Sequence, residues 1–203
     1  MRKIGAVIFP DFEMLDLFGP LQMFSMHRDA FEILTVAETR AQVKASGGPK
    51  VVPDHSIADP IRYDILLVPG GKGTRAARHN EVLLSWLSKA AAQAELVTSV
   101  CTGSLLLASA GILRGRRATT NKRAFDWVVD HAPSGINWQP EARWVEDRNI
   151  LTSSGVSAGM DMSLAVIERT LGQKAAKDAA LWAEYTPHKD ADFDPFSLEG
   201  QTI

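Results

Sequence analysis

An apolar stretch that changes its periodicity at a cysteine constrains this chain more than any other feature. Residues 96–100 are rich in apolar and β-branched side chains, as in a buried strand, whereas residues 102–110 have the apolar spacing of a helix. Cys101 lies at the junction, and the residues two positions before and after it, Ser99 and Gly103, are small. Small flanking residues let a strand turn sharply into a helix, as in a nucleophile elbow. We therefore expect a strand–turn–helix unit with Cys101 at its tip.

Cys101 has two interpretations. A thiol at the amino end of a helix lies near unpaired N–H groups and partial positive charge, which favour the nucleophilic thiolate. Alternatively, a free cysteine is a small, inert core residue. The chain has one cysteine, which excludes an intramolecular disulfide, and a metal site would depend on five scattered histidines and on acidic residues. The sequence therefore predicts either a reactive thiol or an inert one, and no metal site.

The order of the apolar segments predicts the fold class. Continuous apolar runs typical of strands covered on both faces alternate with helical patterns, which indicates an α/β fold with a doubly wound, mostly parallel sheet and helices on both faces. We expect one domain over residues 1–203, with residues 186–203 as a C-terminal tail, because no internal repeat or linker interrupts the pattern. The predicted strands cover residues 4–9, 31–37, 43–45, 51–52, 64–69, 96–100, 118–120, 136–138, 142–146 and 150–153, and the predicted helices cover 81–94, 102–110, 123–131, 160–171 and 173–183.

Four segments with chemically suggestive residues follow predicted strands. They contain Asp16, the glycines Gly70 and Gly71, Cys101, and the small residues of 153–159. Ligands of such sheets bind where the carboxyl ends of the strands meet, so these segments are expected to converge on one site. Desolvation between two leucines would raise the pKa of Asp16 and suit it to proton transfer, whereas a surface ion pair or a helix cap is the alternative. The glycine loop would offer backbone N–H groups to an oxyanion.

Charge and hydropathy argue against several classes of function. The net charge is −2 and the positive residues are scattered, which gives no footprint for nucleic acid or an anionic membrane. No apolar run approaches the roughly 18 residues that span a bilayer, and the short run after Met1 is interrupted by acids, so we expect a cytoplasmic protein. The acidic and aromatic segment 190–196 is expected either to dock through Phe193 and Phe196 or to be frayed.

Five motifs occur together in this chain, namely Leu15-Asp16-Leu17-Phe18-Gly19-Pro20, Pro69-Gly70-Gly71, Ser99-Val100-Cys101-Thr102-Gly103-Ser104, Ala118-Thr119-Thr120 and Thr152-Ser153-Ser154-Gly155-Val156-Ser157-Ala158-Gly159-Met160-Asp161. Together they resemble the ThiJ/PfpI superfamily, and most closely its isonitrile hydratase branch. The resemblance implies a flavodoxin-like fold and a homodimer whose active site lies near the subunit interface. It also implies a small electrophilic substrate and no metal or organic cofactor.

The same resemblance suggests roles for individual residues. Cys101 would be the nucleophile, and Asp16 would contact its sulfur and handle protons. Gly71 and Thr102 would supply backbone donors, with the Thr102 hydroxyl near the reacting centre. The pocket would further include a set of four residues, namely Gly70, Asn121, Ser154 and Gly155.

One residue departs from the family pattern and leaves several functions open. Many members carry histidine after the Ala-Thr-Thr strand, but this chain has Asn121, which argues against a Cys-His pair for amide or peptide hydrolysis. The first hypothesis is hydration of isonitriles to N-substituted formamides. The second is a glyoxalase-like activity on methylglyoxal, and the third is a non-catalytic sensor in which Cys101 is reversibly modified.

Overall fold

The described part of the chain contains eleven strands and seven α-helices. The computed structural model describes residues 1–197. The strands are β1 (Arg2–Val7), β2 (Phe31–Ala37), β3 (Val43–Lys44), β4 (Lys50–Val51), β5 (His55–Ser56), β6 (Ile65–Val68), β7 (Leu96–Ser99), β8 (Arg117–Ala118), β9 (Asn137–Trp138), β10 (Trp144–Asp147) and β11 (Ile150–Ser153). The α-helices are α1 (Met14–Ser25), α2 (Thr74–Ala77), α3 (Glu81–Ala91), α4 (Gly103–Ser109), α5 (Phe125–His131), α6 (Ala158–Leu171) and α7 (Gln173–Trp182), and a 3-10 turn at Lys122–Ala124 precedes α5.

The main sheet is parallel except at one edge. Within residues 1–197 it has seven strands in the order β10-β11-β7-β6-β1-β2-β5, and only the pair β10–β11 is antiparallel. Every residue of β6 and β7 is buried, because helices cover both faces of these strands. Helix α1 packs on α6 and α6 on α7, whereas α3 packs on α4. This is the predicted flavodoxin-like α/β arrangement.

Most of the predicted elements are present with small shifts at their ends. Strand β2 has the predicted bounds, and residues 43–52 form the predicted antiparallel hairpin. The strand predicted over residues 4–9 begins and ends two residues earlier, as β1. No bounds were predicted for three elements: helix α1, the edge strand β5 and the single-turn helix α2. Among the helices within residues 1–197, none is long and apolar enough to cross a membrane.

The segment before the chain end docks through a charge. Asp194 is buried at 1% exposure, and its N–H donates to the carbonyl of Glu141 at 2.6 Å. Phe193 and Phe196 are 39% and 55% exposed, so the prediction that the segment docks through its phenylalanines is wrong. The alternative of a frayed segment is also wrong, because Asp194 is buried. The Asp194 carboxylate pairs instead with the buried guanidinium of Arg143, at 3.4 Å. Part of the predicted tail, residues 198–203, lies outside the described residues.

Candidate active site

The predicted elbow is formed at Cys101. Strand β7 ends at Ser99, α4 begins at Gly103, and Cys101 between them has φ 57°, in the left-handed region that a non-glycine residue rarely adopts. A Cβ on Gly103 would lie 2.2 Å from the carbonyl oxygen of Val68, so only glycine fits where the helix crosses β6. The turn is therefore as tight as the small residues suggested.

Hydrogen bonds hold the strained backbone of Cys101. Its N–H donates to the carbonyl of Ser154 at 2.9 Å, and its own carbonyl accepts the hydroxyls of Thr120 at 3.0 Å and Ser104 at 3.2 Å. A rare conformation persists only where its surroundings determine it, and such residues cluster at functional sites. The main chain thus fixes the sulfur in place from β11, α4 and the segment after β8.

Asp16 lies in the first turn of α1, fully buried, beside the thiol. Its Oδ2 accepts the Gly70 N–H at 2.9 Å, and its Oδ1 has no hydrogen-bond partner among the described residues. The Cys101 thiol and the Val156 N–H also act on the carboxyl as donors, although neither reaches hydrogen-bond geometry. A Cβ on Gly70 would lie 2.9 Å from Oδ2 and 2.6 Å from the Thr102 nitrogen, so a glycine is needed for these groups to meet.

Burial makes Asp16 a group that can carry a proton at neutral pH. Desolvation raises its pKa from the usual 3.8 to about 7, and the charge of Glu13 adds to this, while the donors Gly70, Cys101 and Val156 act in the opposite direction. This agrees with the predicted desolvation. The alternative of a surface ion pair is wrong, because Asp16 has 0% exposure.

The thiol is less acidic than the elbow alone suggested. Cys101 is 7% exposed, and burial raises the pKa of its thiol above the usual range, with the negative charge of Asp16 adding to the effect. The Thr102 N–H at the start of α4 and the Asn121 side chain lower that pKa, as the helix-end argument predicted, but desolvation outweighs them. A proton on Asp16 removes one negative charge beside the sulfur. Carboxyl and thiol therefore behave as a coupled pair that shares a proton.

The loop of Gly71 is tied to Thr102 by hydroxyl groups. Gly71 has φ 119°, and its N–H donates to the Thr102 hydroxyl oxygen at 3.1 Å; that oxygen also accepts the Thr74 hydroxyl at 3.1 Å. In this structure the Gly71 N–H is therefore not free to meet an oxyanion, in contrast to its expected role. The Thr102 N–H instead acts on the Cys101 sulfur. The catalytic roles of Gly71 and Thr102 remain predictions.

Asn121 and the loop after β11 complete the surroundings of the thiol. The Asn121 side chain lowers the pKa of Cys101 without reaching hydrogen-bond geometry, and a Cβ on Gly155 would lie 2.2 Å from Asn121 Nδ2. The residues grouped as a possible pocket, Gly70, Asn121, Ser154 and Gly155, thus all adjoin Cys101 or Asp16. Across the described residues, no three His, Cys, Asp or Glu side chains converge as metal ligands.

Sequence reasoning missed three residues that support this site. Thr74 anchors the Thr102 hydroxyl, Val156 turns its N–H toward Asp16, and Arg143 accepts the Ser154 N–H through its carbonyl at 2.8 Å. Val156 has φ 48°, which a β-branched residue almost never adopts. In this sequence, the small neighbours Gly155 and Ser157 are the one local sign of this strain. Nothing local in the sequence singles out Arg143 or Thr74.

Comparison with known proteins identifies the family. The profile of the DJ-1/PfpI family matches residues 2–169. The chain belongs to the DJ-1/PfpI family. The resemblance of its motifs to ThiJ/PfpI proteins is thereby confirmed.

Relatives within the DJ-1/PfpI family differ in what they do. The isonitrile hydratase of Pseudomonas putida is 34% identical over 186 residues, which cover 91% of this chain and 79% of that protein. A deglycase of Pyrococcus abyssi is 29% identical over 144 residues, covering 70% of this chain and 83% of that protein. A solved ThiJ/PfpI family protein from Pseudomonas syringae superimposes with a TM-score of 0.83 at 33% identity, over 92% of this chain and 76% of that one. Membership of the DJ-1/PfpI family therefore establishes the fold, whereas the reaction has to be inferred from the residues of the site.

Proposed function

We propose that this DJ-1/PfpI protein hydrates isonitriles to N-substituted formamides, with Cys101 as nucleophile and Asp16 as the proton-handling acid. The observation that carries the proposal is the pairing of a single cysteine with a fully buried carboxyl, one oxygen of which has no hydrogen-bond partner among the described residues. A carboxyl with a pKa of about 7 both gives and takes protons at neutral pH. The similarity to an isonitrile hydratase supports the same reaction.

The first step adds sulfur and a proton to the terminal carbon of the isonitrile, R–N≡C. The electron pair of the Cys101 thiolate forms the S–C bond, and the proton shared by Asp16 and Cys101 goes to the same carbon. The product is a thioimidate, Cys–S–CH=N–R, and Asp16 is left as a carboxylate. No electrons leave or enter, so this addition is redox-neutral.

The second step resolves the thioimidate with water. The water oxygen bonds to the carbon, one of its protons ends on nitrogen, and the other returns to the Asp16–Cys101 pair as the C–S bond breaks. The formamide R–NH–CHO leaves, and the site regains its original proton.

The test is the conversion of a simple alkyl isonitrile, measured as formamide by NMR or chromatography. We expect turnover by the native chain, none in Cys101→Ala, and a fall of about 100-fold or more in Asp16→Asn, since general acid–base steps contribute about 10²–10⁴-fold. As a matched control for Asp16→Asn, Asp29→Asn changes an exposed acid and should leave the rate unchanged.

Two other outcomes would overturn the proposal. Formation of lactate from methylglyoxal without isonitrile turnover would assign the glyoxalase-like reaction, in the direction of the deglycase relatives. No turnover of either compound, together with ready oxidation of Cys101 by dilute peroxide, would assign a sensor.

A further inference from the structure

The side-chain amide of Asn121 is held in one orientation. Its Oδ1 accepts the N–H of Ala124 at 3.0 Å, which caps the 3-10 turn at Lys122–Ala124. An amide has one acceptor end and one donor end, so engagement of the oxygen fixes the direction of the NH₂ group. Asn121 therefore presents a donor, and not an acceptor, to the opposite side.

The donor end of the amide lies against the loop that follows β11. A Cβ on Gly155 would lie 2.2 Å from Asn121 Nδ2, so only a glycine at position 155 leaves room for the Asn121 amide. The preceding residue, Ser154, accepts the Cys101 N–H at 2.9 Å, which sets the cysteine beside the same loop. In this position the amide does not reach hydrogen-bond geometry with the Cys101 thiol, but its N–H lies close enough to lower the pKa of the thiol and to favour the ionised form.

No positively charged group near Asn121 stabilises the ionised sulfur of Cys101 in its place. Asp16 acts on Cys101 with a negative charge, and Glu13 adds to the field at Asp16. Lys122 follows Asn121, but its Nζ donates to the Thr119 hydroxyl at 2.8 Å and the Ala142 carbonyl at 2.6 Å. Asn121 is therefore a neutral donor to the sulfur in a site whose nearest charge is negative.

We propose that Asn121 is a catalytic residue whose side-chain N–H stabilises the Cys101 sulfur as it becomes anionic, and that the lack of a proton acceptor at this position selects electrophiles whose addition consumes a proton. This inference rests on the proposed cysteine chemistry and specifies its substrate class. An isonitrile takes up the proton of the Asp16–Cys101 pair when sulfur adds. Acyl substrates that need a second, basic side chain to deprotonate water are disfavoured.

Alkylation by iodoacetamide tests the inference independently of any substrate, because Cys101 is the single cysteine of the chain. Asn121→Asp keeps the capping oxygen and replaces the donor with a carboxylate. Gly155→Ala leaves residue 121 unchanged, but the new Cβ displaces the Asn121 amide from its position. We expect both variants to be alkylated about tenfold or more slowly at pH 7, with the midpoint of the pH–rate profile moved upward, since hydrogen bonds to charged groups are the stronger ones.

Asn80→Ala is the matched control. Asn80 caps α3 in the same way, accepting the Leu83 N–H at 3.1 Å, and α3 supplies none of the groups that act on Cys101. Its alkylation should equal that of the native chain. Native rates and profiles in both Asn121→Asp and Gly155→Ala, with native circular dichroism, would overturn the inference. Slow alkylation combined with no formamide from the native chain would support the Asn121 contact while refuting isonitrile hydration.

Discussion

At the scale of single residues, the chemistry depends on where one proton lies between Asp16 and Cys101. Both groups are buried, and burial opposes the charged form of each. The pair therefore resists carrying two negative charges, and the proton it keeps is the one that the proposed addition uses. The Asp16 carboxyl that takes part in the proposed reaction therefore also affects the stability of the folded protein.

Replacement of this carboxyl should stabilise the protein in a pH-dependent way. The folded state raises the pKa of Asp16 to about 7, so it binds the proton more tightly than the unfolded chain does, and stability is lost as pH rises from 4 through 7. The Asp16→Asn variant does not lose stability in this way, because an amide does not ionise. We expect the free energy of unfolding of the variant to exceed that of the native chain by little at pH 4 and by about 4 kcal/mol at pH 8, measured by urea unfolding. The exposed Asp29→Asn should show no such growth with pH, and an equal difference at both pH values for Asp16→Asn would contradict the assignment.

At the scale of secondary-structure elements, the junction of β7 and α4 sets the position of the thiol. The helix begins where its backbone crosses β6, and this crossing has no room for a side chain. Displacement of α4 would therefore move Cys101 and Thr102 together.

Gly103→Ala should be much more damaging than alanine at another glycine of the same region. A Cβ there would lie 2.2 Å from a buried carbonyl oxygen, which does not yield like a flexible side chain. We expect a loss of at least about 3 kcal/mol in the free energy of unfolding, or no folded protein. Gly111→Ala, at φ 78° with nothing within 4 Å of the new Cβ, should cost only about 1 kcal/mol. Equal losses in thermal or urea unfolding would show that the crossing is not tight.

The predictability of most elements depended on their length. Apolar runs and helical spacing located β1, β2, β6, β7 and the helices α3, α6 and α7, because buried residues recur in them with a regular period. Strand β5, of two residues, and α2, of four, are too short to show one. Asp11 has a residue type typical of a helix cap, yet it adopts φ 58° and α1 starts at Met14, since the turn after β1 is set by contacts with residues distant in sequence.

At the scale of the whole molecule, a buried charged cluster ties the C-terminal segment to the wall of the site. Arg143 is paired with Asp161 at 2.7 Å and with Asp194 at 3.4 Å, and all three side chains are at most 5% exposed. The Arg143 carbonyl accepts the Ser154 N–H, while its own N–H donates to the Ala191 carbonyl at 2.8 Å. One residue thus connects the segment near the chain end with the loop that holds Cys101.

Asp194→Asn should weaken this connection. Removal of one of two carboxylates leaves the buried guanidinium less compensated, for which we expect a loss of about 2 kcal/mol in the free energy of unfolding. Hydrogen exchange at residues 154–157 should also accelerate. The neighbouring exposed Asp192→Asn is the control and should change neither quantity. Unaltered exchange in Asp194→Asn would mean that the segment does not support the loop.

The convergence of the site was predictable, but its internal contacts were not. Parallel strands bring their carboxyl ends to one edge, so Asp16, Gly70 and Cys101 were expected together. The Asn121 orientation and the Arg143 cluster depend on partners far away in sequence, and no local pattern specifies them. The homodimer remains a prediction, because the structure is that of one chain.

The place of Asp194 in the chain has a consequence for biosynthesis. Residues 190–196 leave the ribosome after every strand of the main sheet has already emerged. The nascent protein can therefore assemble its sheet before the ion pair between Arg143 and Asp194 can form. The support of the loop beside Cys101 is thus completed only after the whole main sheet has been translated.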